Sequence, residues 1–196
     1  MVHENRKKSV NPSVIAVIVL LAIALVSGFL LSVLNDILYI SDEERTARDL
    51  SKVYQSESFS QLTIDENFKS KDEYGEIVYV YQAADGAYII KTIGTMGYKG
   101  KSEIVMAIKD NTIVNMIVSS FGGDDKTTTI KDKYLAQYYG MEVTDDLVFV
   151  MNPTGGGGEV DVSAGASSKY TMTSICAAAN MSVYYYNNVL KGGAEA

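Results

Sequence analysis

The hydrophobic pattern of the chain begins with one long apolar run, from Val14 to Leu34, that contains no charged residue. A run of this length is enough to cross a hydrocarbon core of about 30 Å as a helix. It exceeds the roughly 7–15 apolar residues of a cleavable signal peptide, and no A-x-A-like cleavage site follows it. The pattern therefore predicts a retained transmembrane signal anchor over residues 14–34.

Charge on the two sides of this run predicts its orientation. A basic tripeptide at residues 6–8 precedes the run, while Asp36 and the acidic residues 42–44 follow it. Because Lys and Arg accumulate in cytoplasmic flanks, we expect a cytoplasmic tail over residues 1–13 and an extracytoplasmic domain after the anchor. Ser27 and Gly28 interrupt the run, and small residues of this kind often mark where another membrane helix packs closely.

After the anchor the pattern changes to shorter periodic segments. Asp42–Tyr54 has apolar residues at helical spacing and predicts a polar helix that leaves the membrane. Four segments rich in Val, Ile and Tyr predict strands, paired as hairpins about Asp85-Gly86 and Asp110-Asn111. These strands are Glu76–Gln82, Ala87–Thr95, Glu103–Ile108 and Thr112–Ser119.

The remaining predicted elements are a helix over Lys131–Tyr139, a short strand over Leu147–Met151 and a helix over Thr171–Leu190. Together they predict a single α+β domain over residues 76–196, with antiparallel strands packed on helices. Residues 35–75 are expected to form a connecting helix and a charged linker. The residues predicted for the core face of the sheet are Ile104, Met106, Ile108, Ile113 and Ile117.

Composition narrows the chemistry that this domain can perform. The net charge is -7, and because a basic cluster lies in the N-terminal tail, the outer domain is clearly acidic. This argues against a nucleic-acid-binding surface and against docking on anionic lipid headgroups. One cysteine, Cys176, and one histidine, His3, cannot form an iron–sulfur or zinc site. Redox chemistry in the outer domain would therefore require an organic cofactor.

Residues 161–167, D-V-S-A-G-A-S, immediately precede the last predicted helix. Ser167 offers the hydroxyl that a phosphoester requires, and the small Gly165-Ala166 pair allows the backbone to approach a phosphate closely. From Ser168 onward the start of the helix directs free backbone N–H groups and the positive end of the helix dipole toward such a group. A capped helix after a glycine-rich turn would have a similar composition.

This stretch resembles the flavin-attachment signature D-x-x-[ST]-G-A-[TS] of the membrane-bound FMN-binding subunits of two complexes, the Rnf electron-transport complex and the sodium-translocating NADH:quinone reductase. In that family a dedicated transferase esterifies the phosphate of FMN to the hydroxyl of the last residue, which here is Ser167. Ala164 departs from the signature, because the family usually has Ser or Thr there. The resemblance implies covalent FMN as the cofactor and Asp161 as a residue that serves recognition by the transferase.

A second alignment of the same signature is also possible. Residues 168–174, S-K-Y-T-M-T-S, are similar to the family's S-G-A-T-x-T-S, with Lys and Tyr in place of Gly and Ala. This alignment makes Thr171 and Thr173 alternative attachment residues. Close backbone approach is harder with these larger residues, so Ser167 is preferred.

Two further stretches resemble the family in order and spacing, over roughly Tyr88 to Leu190. Residues 97–100, G-Y-K-G, look like its G-[FY]-x-G segment before two hydrophobic strands. Residues 134–140, Y-L-A-Q-Y-Y-G, are similar to its F-L-x-Q-F-x-G helix. The chain departs from the family at residues 122–129, G-G-D-D-K-T-T-T, where an E-T-P-G-L-G-like segment near the flavin is typical.

The resemblance implies an electron carrier without catalytic residues or a metal of its own. It would relay electrons within an ion-translocating ferredoxin:NAD oxidoreductase of the Rnf type, beside other membrane subunits. Two alternatives share this chemistry, the corresponding FMN-binding part of a sodium-pumping NADH:quinone reductase and a stand-alone flavinylated electron-transfer domain. A third belongs to another class, a non-redox assembly or adhesion protein with a signal anchor, in which residues 165–167 are only a helix-capping turn.

Overall fold

The computed structural model describes residues 11–97, 100–121, 132–145, 147–151, 158–161 and 169–192. The chain divides into two units, residues 1–45 and residues 46–196. Helix α1 (Pro12–Leu38) lies in the first unit. Helix α2 (Asp42–Val53) begins in the first unit and ends in the second, which agrees with the helix predicted over Asp42–Tyr54.

Helix α1 starts at a proline that follows a capping asparagine. The side chain of Asn11 accepts a hydrogen bond from the backbone N–H of Ser13, and Pro12 needs no donor at the first helical position. The helix is long and apolar enough to cross a membrane, and an 18-residue window within it has a mean hydropathy of 3.1. The predicted N-terminal apolar helix is thus confirmed, whereas its membrane crossing and its orientation stay predictions.

The second unit is built on an antiparallel sheet with the strand order β1-β3-β4-β5-β6, in which β2 also pairs with β3. The strands are β1 (Phe59–Leu62), β2 (Ser70–Lys71), β3 (Gly75–Ala83), β4 (Tyr88–Gly94), β5 (Glu103–Lys109) and β6 (Thr112–Ser120). The four strands predicted from the sequence are confirmed. Because β1 and β2 belong to residues 35–75, that segment contributes to the sheet and is more than a connecting helix and linker.

The last part of the unit contains short elements and one long helix. They are α3 (Asp132–Leu135) with a 3-10 turn (Ala136–Tyr138), β7 (Val150–Met151), β8 (Glu159–Val160) and α4 (Lys169–Tyr185) with a π-helical turn (Tyr186–Leu190). Strands β7 and β8 pair in parallel. Both predicted helices are therefore present, while the strand expected over Leu147–Met151 is limited to its last two residues.

Helix α4 covers one face of the sheet and forms the main core with it. The residues of the helix that contact β4 include the small residues Ser174, Ala178 and Ser182, which allows the helix to approach this strand closely. Ile104, Met106, Ile108 and Ile113 are completely buried in this core, as the sequence predicted. The prediction for Ile117 is wrong, because this residue packs partly buried on the opposite face.

The position of Ile117 follows from a break in the alternation of β6. The register between β5 and β6 shifts between Ala107 and Ile108, and Val114 has no partner in the β5–β6 ladder. Such a bulge adds one residue to the strand and reverses the faces of the residues beyond it. Ile113 and Met116, three residues apart, therefore share the main core, and Ile117 turns to the other side.

The opposite face of the sheet is covered by the last turns of α2. Leu50 and Val53 of that helix pack with Val105 and Ala107 of β5 in a second, smaller cluster. A network of ionised side chains borders the cluster. The ammonium group of Lys91 lies 3.3 Å from a carboxylate oxygen of Asp49 in α2 and 3.1 Å from one of Glu103 in β5.

Candidate functional site

The first residue of the predicted attachment motif, Asp161, is exposed and directly follows strand β8. Val160 before it is completely buried, and Glu159 pairs with Val150 of β7. Gly158 has φ +76, and an added Cβ there would lie 2.6 Å from the carbonyl oxygen of Val148. The chain therefore reaches Asp161 along a path that neighbouring backbone constrains closely.

The side chain of Gln137 holds the backbone of Asp161. Its Oε1 accepts a hydrogen bond from the N–H of Asp161 at 2.7 Å, and its Nε2 donates to the carbonyl oxygen of the same residue at 3.2 Å. Gln137 belongs to the 3-10 turn that follows α3. One amide side chain thus links two of the stretches on which the family resemblance rests, residues 134–140 and the beginning of residues 161–167.

The predicted site residues are only partly described by the structure. Gly165, Ala166, Ser167 and Ser168 lie outside the described residues. Thr171 and Thr173 lie in the first turn and a half of α4, close after that segment. The side chain of Thr171 is only 4% exposed, and that of Thr173 is half-buried.

The first turns of α4 are fastened to the sheet by Ser174, the last residue of the alternative alignment. Its buried hydroxyl oxygen accepts a hydrogen bond from the backbone N–H of Ser102 at 2.8 Å. An added Cβ on Gly94 would lie only 1.9 Å from the carbonyl oxygen of Ser174, so the helix and β4 are in backbone contact there. Ser174 thus has a structural role that is independent of any cofactor.

Two tyrosines of residues 134–140 lie beneath the start of α4. The hydroxyl groups of Tyr134 and Tyr138 are 3.1 Å apart, and that of Tyr134 also donates to the carbonyl oxygen of Met172 at 3.3 Å. The ring of Tyr138 packs edge-on against Phe149, with centroids 4.7 Å apart. The aromatic positions of the F-L-x-Q-F-like stretch therefore serve the core, while its glutamine contacts Asp161.

Burial keeps the ionisable groups of this core in their neutral forms. Desolvation raises the pKa of the Cys176 thiol to about 11 and raises the pKa of both Tyr134 and Tyr138 above the usual tyrosine value. None of these three groups would exchange a proton near neutral pH. Among the residues that the structure describes, no group of three or more His, Cys, Asp or Glu is arranged to hold a metal ion.

The hydroxyl groups near α4 differ in how well they fit a phosphoester. A bulky phosphate needs an accessible oxygen, and the burial of Thr171 would require the start of the helix to repack around it. Asp161, which begins the motif, is by contrast exposed with a constrained backbone. Of the described residues near the start of α4, Thr171 is thus a poor candidate for attachment, while the predicted residue Ser167 lies outside the described residues.

Sequence reasoning did not identify Gln137 as a residue of this site. The glutamine stands in the stretch Y-L-A-Q-Y-Y-G, but nothing in its spacing indicates the residue to which it bonds. Gly94 was missed too, because only the packing of α4 shows why a glycine is required there.

No protein-family model and no curated protein sequence matches the chain. The resemblance to the flavin-bearing subunits therefore rests on the motifs described above.

Proposed function

We propose that this protein is a membrane-anchored electron carrier with FMN esterified to Ser167, working within an Rnf-type ion-translocating complex. The observation that carries the proposal is the pair of hydrogen bonds between the side chain of Gln137 and the backbone of Asp161. These two residues belong to separate stretches that each resemble the flavin-bearing family. A fold in which one stretch supports the other is expected if both serve the same site.

The environment of the motif also supports attachment of a cofactor. Asp161 is exposed, so a modifying enzyme can reach the beginning of the motif. The segment that contains Ser167 leads into α4, whose first turns are immobilised by the Ser102–Ser174 hydrogen bond and by the contact with Gly94. The described residues on the two sides of the attachment segment in the sequence are therefore held in place by hydrogen bonds and backbone contacts.

A carrier role suits the side chains at this end of the domain. The buried groups beneath α4 have raised pKa values and therefore offer no general acid or base near neutrality. When bound, FMN would supply the one-electron chemistry, and the protein would set the position and potential of the ring. The apolar helix α1 would hold the domain near membrane partners.

The decisive experiment is to express the full chain with and without a flavin transferase of this family. We expect a yellow, fluorescent band that survives denaturing electrophoresis only when the transferase is present. Ser167→Ala should abolish the band, whereas Thr171→Val and Thr173→Val should retain it. If peptide mass spectrometry finds FMN on either threonine, Ser167 is not the attachment residue, although FMN is still the cofactor.

The alternatives predict different outcomes of the same preparation. A fluorescent chain that co-purifies with multispan membrane subunits in mild detergent would support a complex, and one that purifies alone would support a stand-alone carrier. Rapid turnover of NADH or a quinone analogue by the flavinylated chain alone would contradict the relay. A chain that stays colourless with an active transferase would favour the non-redox assembly or adhesion protein.

A further inference from the structure

A cavity of about 260 Å³ opens beside the C-terminal half of α4. Asn180 is the residue of α4 in the cavity wall that lies nearest to the start of the helix. At the usual rise per residue, it lies about 16 Å along the helix axis from Lys169, where α4 begins. The described wall of the cavity therefore lies well along α4 from Lys169, the first helical residue after the proposed attachment segment in the sequence. Part of its wall is the π-helical turn, a rare conformation that is often found at functional sites.

An unpaired acceptor lies in the wall of this cavity. Asn187 lines it, and within the described part of the chain the Oδ1 of this residue is buried without a hydrogen-bond partner. The amide group is not reversed, because Nδ2 donates to the carbonyl oxygen of Thr144 at 2.8 Å. A buried acceptor without a donor is costly, so a ligand that brings an N–H or O–H group would be stabilised there.

A positively charged side chain, Lys71, lines the same cavity and contacts α4 one helical turn before Asn187. The ammonium group of Lys71 stands 4.2 Å from the ring centroid of Tyr74 and 4.8 Å from that of Tyr184. Tyr184 precedes Asn187 by three residues, which places the two side chains on neighbouring parts of the helix surface. A carboxylate oxygen of the well-exposed Glu73 lies 3.9 Å from this ammonium group, and Asp145, which also lines the cavity, pairs with Lys191 at 2.7 Å.

The rest of the wall is rigid and partly apolar. Asn180 accepts a hydrogen bond from the N–H of Phe149 at 2.6 Å and donates to its carbonyl oxygen at 3.0 Å, so its side chain is fixed. Leu147, Val148 and Val183 supply apolar surface. A fixed wall with apolar contacts and a few placed polar groups is the usual character of a small-molecule site.

We propose that this cavity binds a small organic acid whose ring carries a hydroxyl or N–H donor opposite its carboxylate. The carboxylate pairs with Lys71, the donor satisfies Oδ1 of Asn187, and the ring packs against the tyrosines and the apolar wall. The size of the cavity limits the ligand to about one ring, since sites for drug-sized molecules usually exceed about 300 Å³. This assignment does not rest on the proposed function.

The test uses the full chain in detergent, prepared without a flavin transferase and labelled with ¹⁵N-asparagine, and 4-hydroxybenzoate as the probe. Side-chain amide signals of Asn187 and Asn188 should shift on titration, with a dissociation constant on the order of 1 mM for so small a ligand. Benzoate lacks the donor and phenol lacks the acid. Each should bind more weakly by about three- to tenfold, the usual value of one hydrogen bond or ion pair.

Three variants distinguish the proposed contacts from non-specific binding. Lys71→Met keeps the hydrocarbon stem over the tyrosines but should lower the affinity for 4-hydroxybenzoate by about tenfold. Glu73→Gln removes the carboxylate that competes for Lys71 and should increase the affinity for 4-hydroxybenzoate. In Asn187→Ala, monitored through Asn188, 4-hydroxybenzoate should lose its advantage over benzoate.

Lys69→Met is the matched control, because Lys69 pairs with Glu66 and does not line the cavity. Asn11 and Asn67 supply reference signals that should not move. The proposal is overturned if no cavity signal shifts up to about 10 mM probe, a concentration well above the expected constant. Equal affinity in the parent chain and in Lys71→Met would overturn it as well, and so would shifts confined to the reference signals.

Discussion

Gln137 and Asp161, which lie 24 positions apart in the chain, are joined by two hydrogen bonds between one side-chain amide and the backbone of one residue. The side chain both donates and accepts, so it satisfies both backbone groups of Asp161 at once. A glutamine can do this because its amide group carries an acceptor oxygen and two N–H donors. The contact fixes the backbone where the proposed attachment segment begins.

Gln137→Leu should reduce covalent flavin incorporation several-fold in the presence of the transferase. The physical reason is that Asp161 loses both hydrogen bonds, so the segment that the transferase must recognise is presented less uniformly. The free energy of unfolding should fall by only about 1 kcal/mol, because the contact is partly exposed. In-gel fluorescence per mole of protein and denaturant unfolding measure the two effects.

Gln61→Leu, on the exposed side of β1, is the control for the loss of a glutamine. Unchanged incorporation in Gln137→Leu would show that the contact is purely structural.

Gly94→Ala should destabilise the domain by about 1–3 kcal/mol or more, the usual cost of overpacking a core. The new methyl group would meet the carbonyl oxygen of Ser174 at 1.9 Å, and backbone on both sides leaves little room to relax. Thermal unfolding of the full chain in detergent measures the loss. Gly192→Ala should be nearly neutral, because nothing lies within 4 Å of a Cβ built there. Equal stability of the two variants would contradict the close contact between α4 and β4.

Lys91→Met should lower the free energy of unfolding by roughly 1–3 kcal/mol. Removing the ammonium group leaves the carboxylates of Asp49 and Glu103 next to each other without their shared cation, and only 14% of the Lys91 and Asp49 side chains is exposed. Asp49→Asn in the same chain should restore part of the loss by removing one of the repelling charges.

Denaturant midpoints measure these effects of the lysine variant. Lys69→Met, which breaks an exposed pair, should change stability by less than about 0.5 kcal/mol. If Asp49→Asn lowers the free energy of unfolding of the Lys91→Met chain further, Asp49 and Glu103 do not repel each other as proposed.

The thiol of Cys176 should react with a maleimide or disulfide reagent only after unfolding. It is 5% exposed, and at a pKa of about 11 the reactive thiolate would be about a thousandth of the thiol at pH 8. Cys176 is the single cysteine of the chain, so the labelling signal is unambiguous. Complete labelling within minutes under native conditions would show that α4 opens readily above the sheet.

The elements with strong local signals could be predicted from the amino-acid sequence. The apolar run predicted α1, and the alternating Val, Ile and Tyr segments with their turns predicted β3 to β6. These signals are local because side-chain periodicity follows directly from strand and helix geometry. Strand β1 was not predicted, because Phe59–Leu62 is short and half polar. Its strand conformation depends on its pairing with β3.

Contacts between distant residues could not be predicted in the same way, because they depend on the packing of the folded chain. The bulge at Val114 turned Ile117 away from the main core, and no local pattern marks where a strand gains an extra residue. The contacts between Gln137 and Asp161, between Gly94 and Ser174, and between Lys71 and the tyrosines join positions far apart in the chain or on different elements. Such pairs depend on how α4 and the loops pack on the sheet, and packing is a property of the whole fold.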